Sequence, residues 1–79
     1  MITPAQCLQA RKLLHWTPER LACRCESSST TIRLFEKNER LVSLERLAAI
    51  QSALEAAGVE FIPENGGGPG VRLRKDSKL

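Results

Sequence analysis

Few side chains in this 79-residue chain could make or break a bond. There is one histidine, His15, and there are three cysteines, Cys7, Cys23 and Cys25. Cys23 and Cys25 stand too close for an ordinary disulfide. Their spacing is not that of a zinc knuckle, and no second pair backs it, so no metal is expected. Helical spacing turns Cys7 and Cys25 inward and Cys23 outward, which leaves a thiol switch at Cys23 as the alternative. The run NGGGPG (65–70) resembles a phosphate-cradling loop. It lacks the Lys-Ser/Thr and the helix that such loops need, and a strand-like segment follows it, so it reads as a hairpin tip. No nucleophile stands at a workable spacing from a base, and neither an enzyme nor a bound cofactor is expected.

What remains is hydrogen-bonding chemistry, concentrated in CESSSTTIRLFEKNE (25–39). Five hydroxyl side chains, Ser27 to Thr31, precede Ile32, Arg33 and Phe35. Hydroxyls beside a backbone favour caps and turns, and those at a helix start can also approach another molecule closely.

The elements that hold this run follow from capping signals. Thr3-Pro4-Ala5-Gln6 offers a cap, a first-position proline and a capping box for a first helix ending near His15-Trp16. Cys7, Ala10 and Leu14 form its inner face, with Leu13 beside them. His15 reads as a helix-end residue, and Trp16 as part of a core or interface. Thr17-Pro18-Glu19 starts a second helix of about two turns through Leu21, Ala22 and Cys25. Ser28 caps a third, roughly 29–37, with Ile32 and Phe35 inward. Thr30, Arg33 and Lys37 then fall on its outer face, flanked by Ser29 and Leu34. Ser43 caps a fourth from Leu44 to about Ala57, with Leu47, Ile50, Leu54 and Ala57 inward and Gly58 at its left-handed end. Beyond that, VEFI (59–62) and VRLR (71–74) alternate around a breaker cluster and predict a two-stranded hairpin. Val59, Phe61, Val71 and Leu73 would share one face, and Glu60 and Arg72 would pair on the other. The organisation expected is a helical domain over 1–58, a hairpin over 59–75 and a flexible tail over 76–79.

Aromatics are scarce, so the core must be aliphatic. A net charge of +3 suits nucleic acid or an acidic partner. The odd cysteine count fits a reducing cytoplasm. No basic-then-apolar leader and no apolar run near 20 residues appears, so neither secretion nor a membrane is expected.

Two short helices joined by a tight turn, the second starting with small polar residues, form a helix-turn-helix. The DNA major groove accommodates its second helix, and the hydroxyls and first-turn amides would meet base edges and phosphates.

The stretch WTPERLACRCESSSTTIRLFE resembles the helix-turn-helix of the Cro/Xre family of bacterial and phage regulators. It does so through Leu21-Ala22, Ser28, Thr31-Ile32 and Glu36. The ending LEAAGVEFIPENGGGPGVRLRK is similar to that of small proteobacterial members. The resemblance implies a mainly α, lambda-repressor-like domain of about four helices with a C-terminal two-stranded β-hairpin. It further implies that Ser29, Thr30, Arg33 and Leu34 read bases, with Leu34 able to touch a thymine methyl. Thr17, Ser28, Arg40 and Ser43 stand where phosphate contacts are usual, and Lys37 is expected to contact phosphate with them. Arg11 and Glu36 stand where a structural ion pair joins the first and third helices. Two departures stand out. Pro18 replaces a frequent glutamine and cannot make its amide contact. Glu26-Ser27 replaces glycine plus an apolar residue, which predicts a looser or differently bent turn.

The function expected is a sequence-specific transcriptional regulator on double-stranded DNA. One small module buries little surface, so a homodimer on an inverted repeat is expected, with paired hairpins as one way to form it. The alternative is an antitoxin or adaptor whose main partner is a protein.

Overall fold

A computed structural model describes residues 2–62 and 70–73. In chain order the elements are α1 (Pro4–Leu13), α2 (Pro18–Cys25), α3 (Ser29–Glu36), α4 (Leu44–Ala56), β1 (Val59–Ile62) and β2 (Gly70–Leu73). The fold is mainly α with a C-terminal antiparallel hairpin, as the capping and alternation signals predict. Among the described residues, no helix is long and apolar enough to cross a membrane.

Each helix starts on the hydroxyl residue that caps it. Thr3 accepts from the Gln6 amide at 3.1 Å, while the Gln6 side chain accepts from the Thr3 amide at 2.9 Å, which closes the capping box. Thr17, Ser28 and Ser43 each accept from the backbone three residues on. Proline stands at the start of α1 and α2, where its missing N–H is no loss.

The helix ends hold a feature that composition does not announce. His15, Glu26 and Asn38 all adopt left-handed backbone, with φ of 57°, 57° and 64°. Each is followed by a residue whose amide reaches back five positions. Trp16 bonds the Arg11 carbonyl at 3.0 Å, Ser27 that of Ala22 at 3.0 Å, and Glu39 that of Leu34 at 2.8 Å. These are glycine-type helix stops made without glycine. Only α4 uses one, with Gly58 at φ 106°. The α2–α3 turn closes on Glu26 in left-handed backbone, with the Ser27 amide bonded back to the Ala22 carbonyl.

The core lies where α2 packs on α3 and α4, with α1 and the hairpin closing the open side. Leu21, Ile32, Ile50, Leu54, Val59 and Cys7 are its largest fully buried side chains. The hairpin register pairs Val59 with Leu73, Glu60 with Arg72 and Phe61 with Val71. Val59 is buried, and Phe61 and Val71 pack against the core, but Leu73 stays exposed at the edge of that face. Glu60 accepts from Arg72 Nε across the outer face at 2.6 Å.

An isolated hairpin is marginal in water, and here Gln6 fastens it. The Gln6 side chain is 4% exposed, and its Nε2 donates to the carbonyls of Ile62 (3.3 Å) and Gly70 (3.1 Å). One buried side chain thus caps α1 and ties it to both strands. The breaker cluster over 63–69 and the predicted tail over 76–79 lie outside the described residues.

Candidate nucleic-acid interface

The side chains on α3 divide by helical periodicity. Ile32 and Phe35 are buried against the core. Thr30, Arg33 and Lys37 are exposed on the opposite face, with Ser29 and Leu34 half-buried beside them. Eight residues make an element roughly 12 Å long, capped at its start by Ser28. No acidic residue stands in its first turn, so the positive end of the helix is not neutralised from within.

Beside that start, the α2–α3 turn, the loop after α3 and the first turn of α4 enclose an open cleft. Arg40 and Arg46 enter it from one side, and Ser27, Ser28 and Thr31 from the other. Arg46 Nη1 donates to Ser27 Oγ at 2.9 Å, and Arg40 Nη1 donates to Thr31 Oγ1 at 3.4 Å. Ser28 Oγ accepts the Thr31 amide at 3.1 Å and donates to Thr31 Oγ1 at 2.9 Å. A guanidinium carries five donors, so each arginine keeps several for a further acceptor. Two cations, four hydroxyls (Ser27, Ser28, Thr31 and Ser43) and the starts of two helices form a site suited to a phosphate-sized anion. Glu26 is the acidic residue on its rim.

Both ends of α3 are fixed. At its C-terminal end Glu36 receives a two-pronged contact from Arg11, Nη2 to Oε1 at 2.8 Å and Nε to Oε2 at 2.9 Å. The two side chains are only 14% and 5% exposed. Arg11 Nη1 also donates to the Trp16 carbonyl at 2.9 Å, so one side chain ties α1, the α1–α2 corner and α3 together. The hydrogen bond to Glu36 is the main reason the Arg11 guanidinium holds its proton more tightly than usual. Cys7 Sγ donates to Glu36 Oε2 at 3.4 Å. Burial, reinforced by the neighbouring carboxylate, pushes that thiol far above its ordinary range, so it stays protonated. The pair expected from Arg11 and Glu36 is present.

The structure gathers some of the predicted contact residues and separates others. Ser28, Arg40 and Ser43 line the cleft together. Thr17 lies apart, capping α2 in a shallow concavity with His15, Glu19 and Arg20. Lys37 is the exposed C-cap of α3, away from the cleft. Arg46 was not among the expected residues, although it contributes the shorter of the two arginine contacts. Its signal is its position three residues after the Ser43 cap, which turns the first helical turn of α4 towards the cleft. Glu19 was also missed as a partner of Arg33, whose Nη2 it accepts.

The remaining candidate groups are dispersed. Cys23 is exposed while Cys7 and Cys25 are buried, as the periodicity predicts. Among the described residues no three metal-binding side chains converge. Trp16 packs against the core, with the guanidinium groups of Arg20 and Arg24 5.8 and 5.5 Å from its ring centre.

In comparisons with known proteins, no family model matches the chain and no curated protein matches it.

Proposed function

We propose that the protein is a sequence-specific DNA-binding transcriptional regulator that lays α3 in the major groove. The observation that carries this reading is the cleft: Arg40, Arg46 and four hydroxyls converge on one side of the same helix that turns Thr30 and Arg33 outward. A helix of 10–12 Å diameter fits a groove about 12 Å wide, and the phosphates flanking the groove then lie beside its start. Contacts in the cleft would set register and orientation, and the outward face of α3 would read base edges. The resemblance of the helix-turn-helix residues to the Cro/Xre pattern supports the same reading. The mechanism is binding, with no bond made or broken and no cofactor.

A homodimer on an inverted repeat completes the proposal. The molecule measures 31 × 30 × 20 Å. Binding two half-sites would require the dimer to hold its equivalent helices on the order of 34 Å apart, one turn of DNA. The hairpin is a candidate dimer element, since among the described residues each of its two strands has one edge without a strand neighbour. The expected place of action is a bacterial or phage-infected cytoplasm.

A second reading, a module whose main partner is a protein, draws on Leu41 and Leu44. They are 95% and 69% exposed beside the cleft. Selection of bound sequences from a random DNA pool separates the two. An enriched inverted repeat, lost when Thr30→Ala and Arg33→Ala are combined, supports the regulator. A flat pool with weak, steeply salt-dependent binding leaves only phosphate attraction and moves the case to the protein partner.

A further inference from the structure

Arg33, on the outward face of α3, is held from a neighbouring helix. Its Nη2 donates to Oε2 of Glu19, in the first turn of α2. The two side chains are 51% and 57% exposed, so the contact belongs to the surface and adds little to stability. Its effect is on freedom. An arginine carries several rotatable bonds, and a partner that fixes its plane removes part of the ordering cost of recognition.

The geometry also selects what Arg33 can meet. Glu19 occupies a donor on Nη2, and the remaining N–H groups present a flat fork. Of the base edges in the major groove, only guanine offers two acceptors, O6 and N7, to such a fork. Glu19 behaves in the opposite way. A carboxylate accepts only, so it is repelled by guanine's acceptors and by phosphates, and it tolerates the exocyclic amine of cytosine or adenine. Its charge works against general DNA attraction, which makes its placement on this face informative.

We infer that Glu19 is a positioning residue that aims Arg33 at a guanine and so determines specificity at that base pair. The inference rests on the DNA-binding reading above. It adds the base read and the residue that sets it.

The test measures binding of the full chain and its Glu19→Ala, Glu19→Gln, Arg33→Ala and doubly substituted (Glu19→Ala, Arg33→Ala) variants. The probes are the selected duplex, the same duplex with each guanine in turn replaced by adenine, and a random-sequence duplex. The wild type is expected to prefer guanine at one position by roughly 10-fold. Glu19→Ala cuts that preference several-fold while binding the random duplex at least as tightly. Arg33→Ala abolishes the preference, and adding Glu19→Ala to it changes nothing more. Glu19→Gln keeps the side-chain shape and shifts the preference in the same direction, which covers the case in which alanine loosens the first turn of α2. Wild-type preference in both Glu19 variants, or an equal loss on every duplex, overturns the inference and leaves the regulator reading standing. A wild type with no preference among the duplexes overturns both.

Discussion

Replacing Arg40 and Arg46 together with alanine removes both guanidinium groups from the cleft between the α2–α3 turn and α4. Both side chains are exposed, and the Ser43 cap of α4 uses the backbone amide of Arg46, so the fold should keep its stability to within about 0.5 kcal/mol. The effect on DNA binding is larger and has a defined form. Each phosphate contact contributes about 0.9 to the slope of log affinity against log salt concentration. Two lost contacts lower the slope by about 1.8 per protomer, and by about 3.6 for a symmetric dimer. Between 50 and 200 mM salt, wild-type affinity should therefore fall about 12-fold more per protomer than that of the variant. Fluorescence anisotropy with a labelled duplex at four or five salt concentrations reads this directly. The order of preference among duplexes should be retained, because phosphates carry no sequence information. A variant with the wild-type slope would refute the cleft as a phosphate site.

Three further perturbations test the scaffold. Arg11→Met leaves the Glu36 carboxylate buried without its partner and should destabilise the protein by about 3–5 kcal/mol, read by urea denaturation; a loss under 1 kcal/mol would mean that the pair is not structural. Cys7 titrates near 9.0 when unfolded and higher when folded, so unfolding releases a proton above that pH. Stability is accordingly full below about pH 9 and declines above it, and Cys7→Ala should flatten that decline in thermal melts taken from pH 8 to 10.5. Glu26→Gly relieves a left-handed residue at about 1–2 kcal/mol and adds about 0.5–1 kcal/mol of chain entropy on unfolding. The net gain should raise the melting temperature by a few degrees, and by more than Asn38→Gly, since asparagine tolerates that conformation better.

The parts of this fold that were legible in the sequence are those decided within a few residues. Thr3, Thr17, Ser28 and Ser43 cap where their types and neighbours predict, and the alternation of 59–62 and 71–73 yields the observed register. The outward set on α3 follows from one period of 3.6. What was not legible depends on where separate elements meet. Gln6 serves as a local cap, but its second role needs Ile62 and Gly70 brought to it from 56 and 64 positions away. Arg46 is an ordinary helical arginine until the turn places Ser27 opposite it. Glu19 looks like a favourable acid at a helix start, and its pairing with Arg33 appears only once α2 and α3 are packed. The close of α2 depends on Glu26 adopting left-handed backbone, held there by the Ser27–Ala22 bond, which the residue type alone does not announce.

The most direct test of the central claim is a map of backbone amide shifts when the selected duplex is added to isotope-labelled protein. The shifts should concentrate at Ser27–Leu34 and Arg40–Arg46, the start of α3 and the cleft, with Thr17 and Glu19 at the margin. Shifts centred instead on the hairpin, or on Trp16, Arg20 and Arg24, would contradict the assignment of α3 as the reading helix.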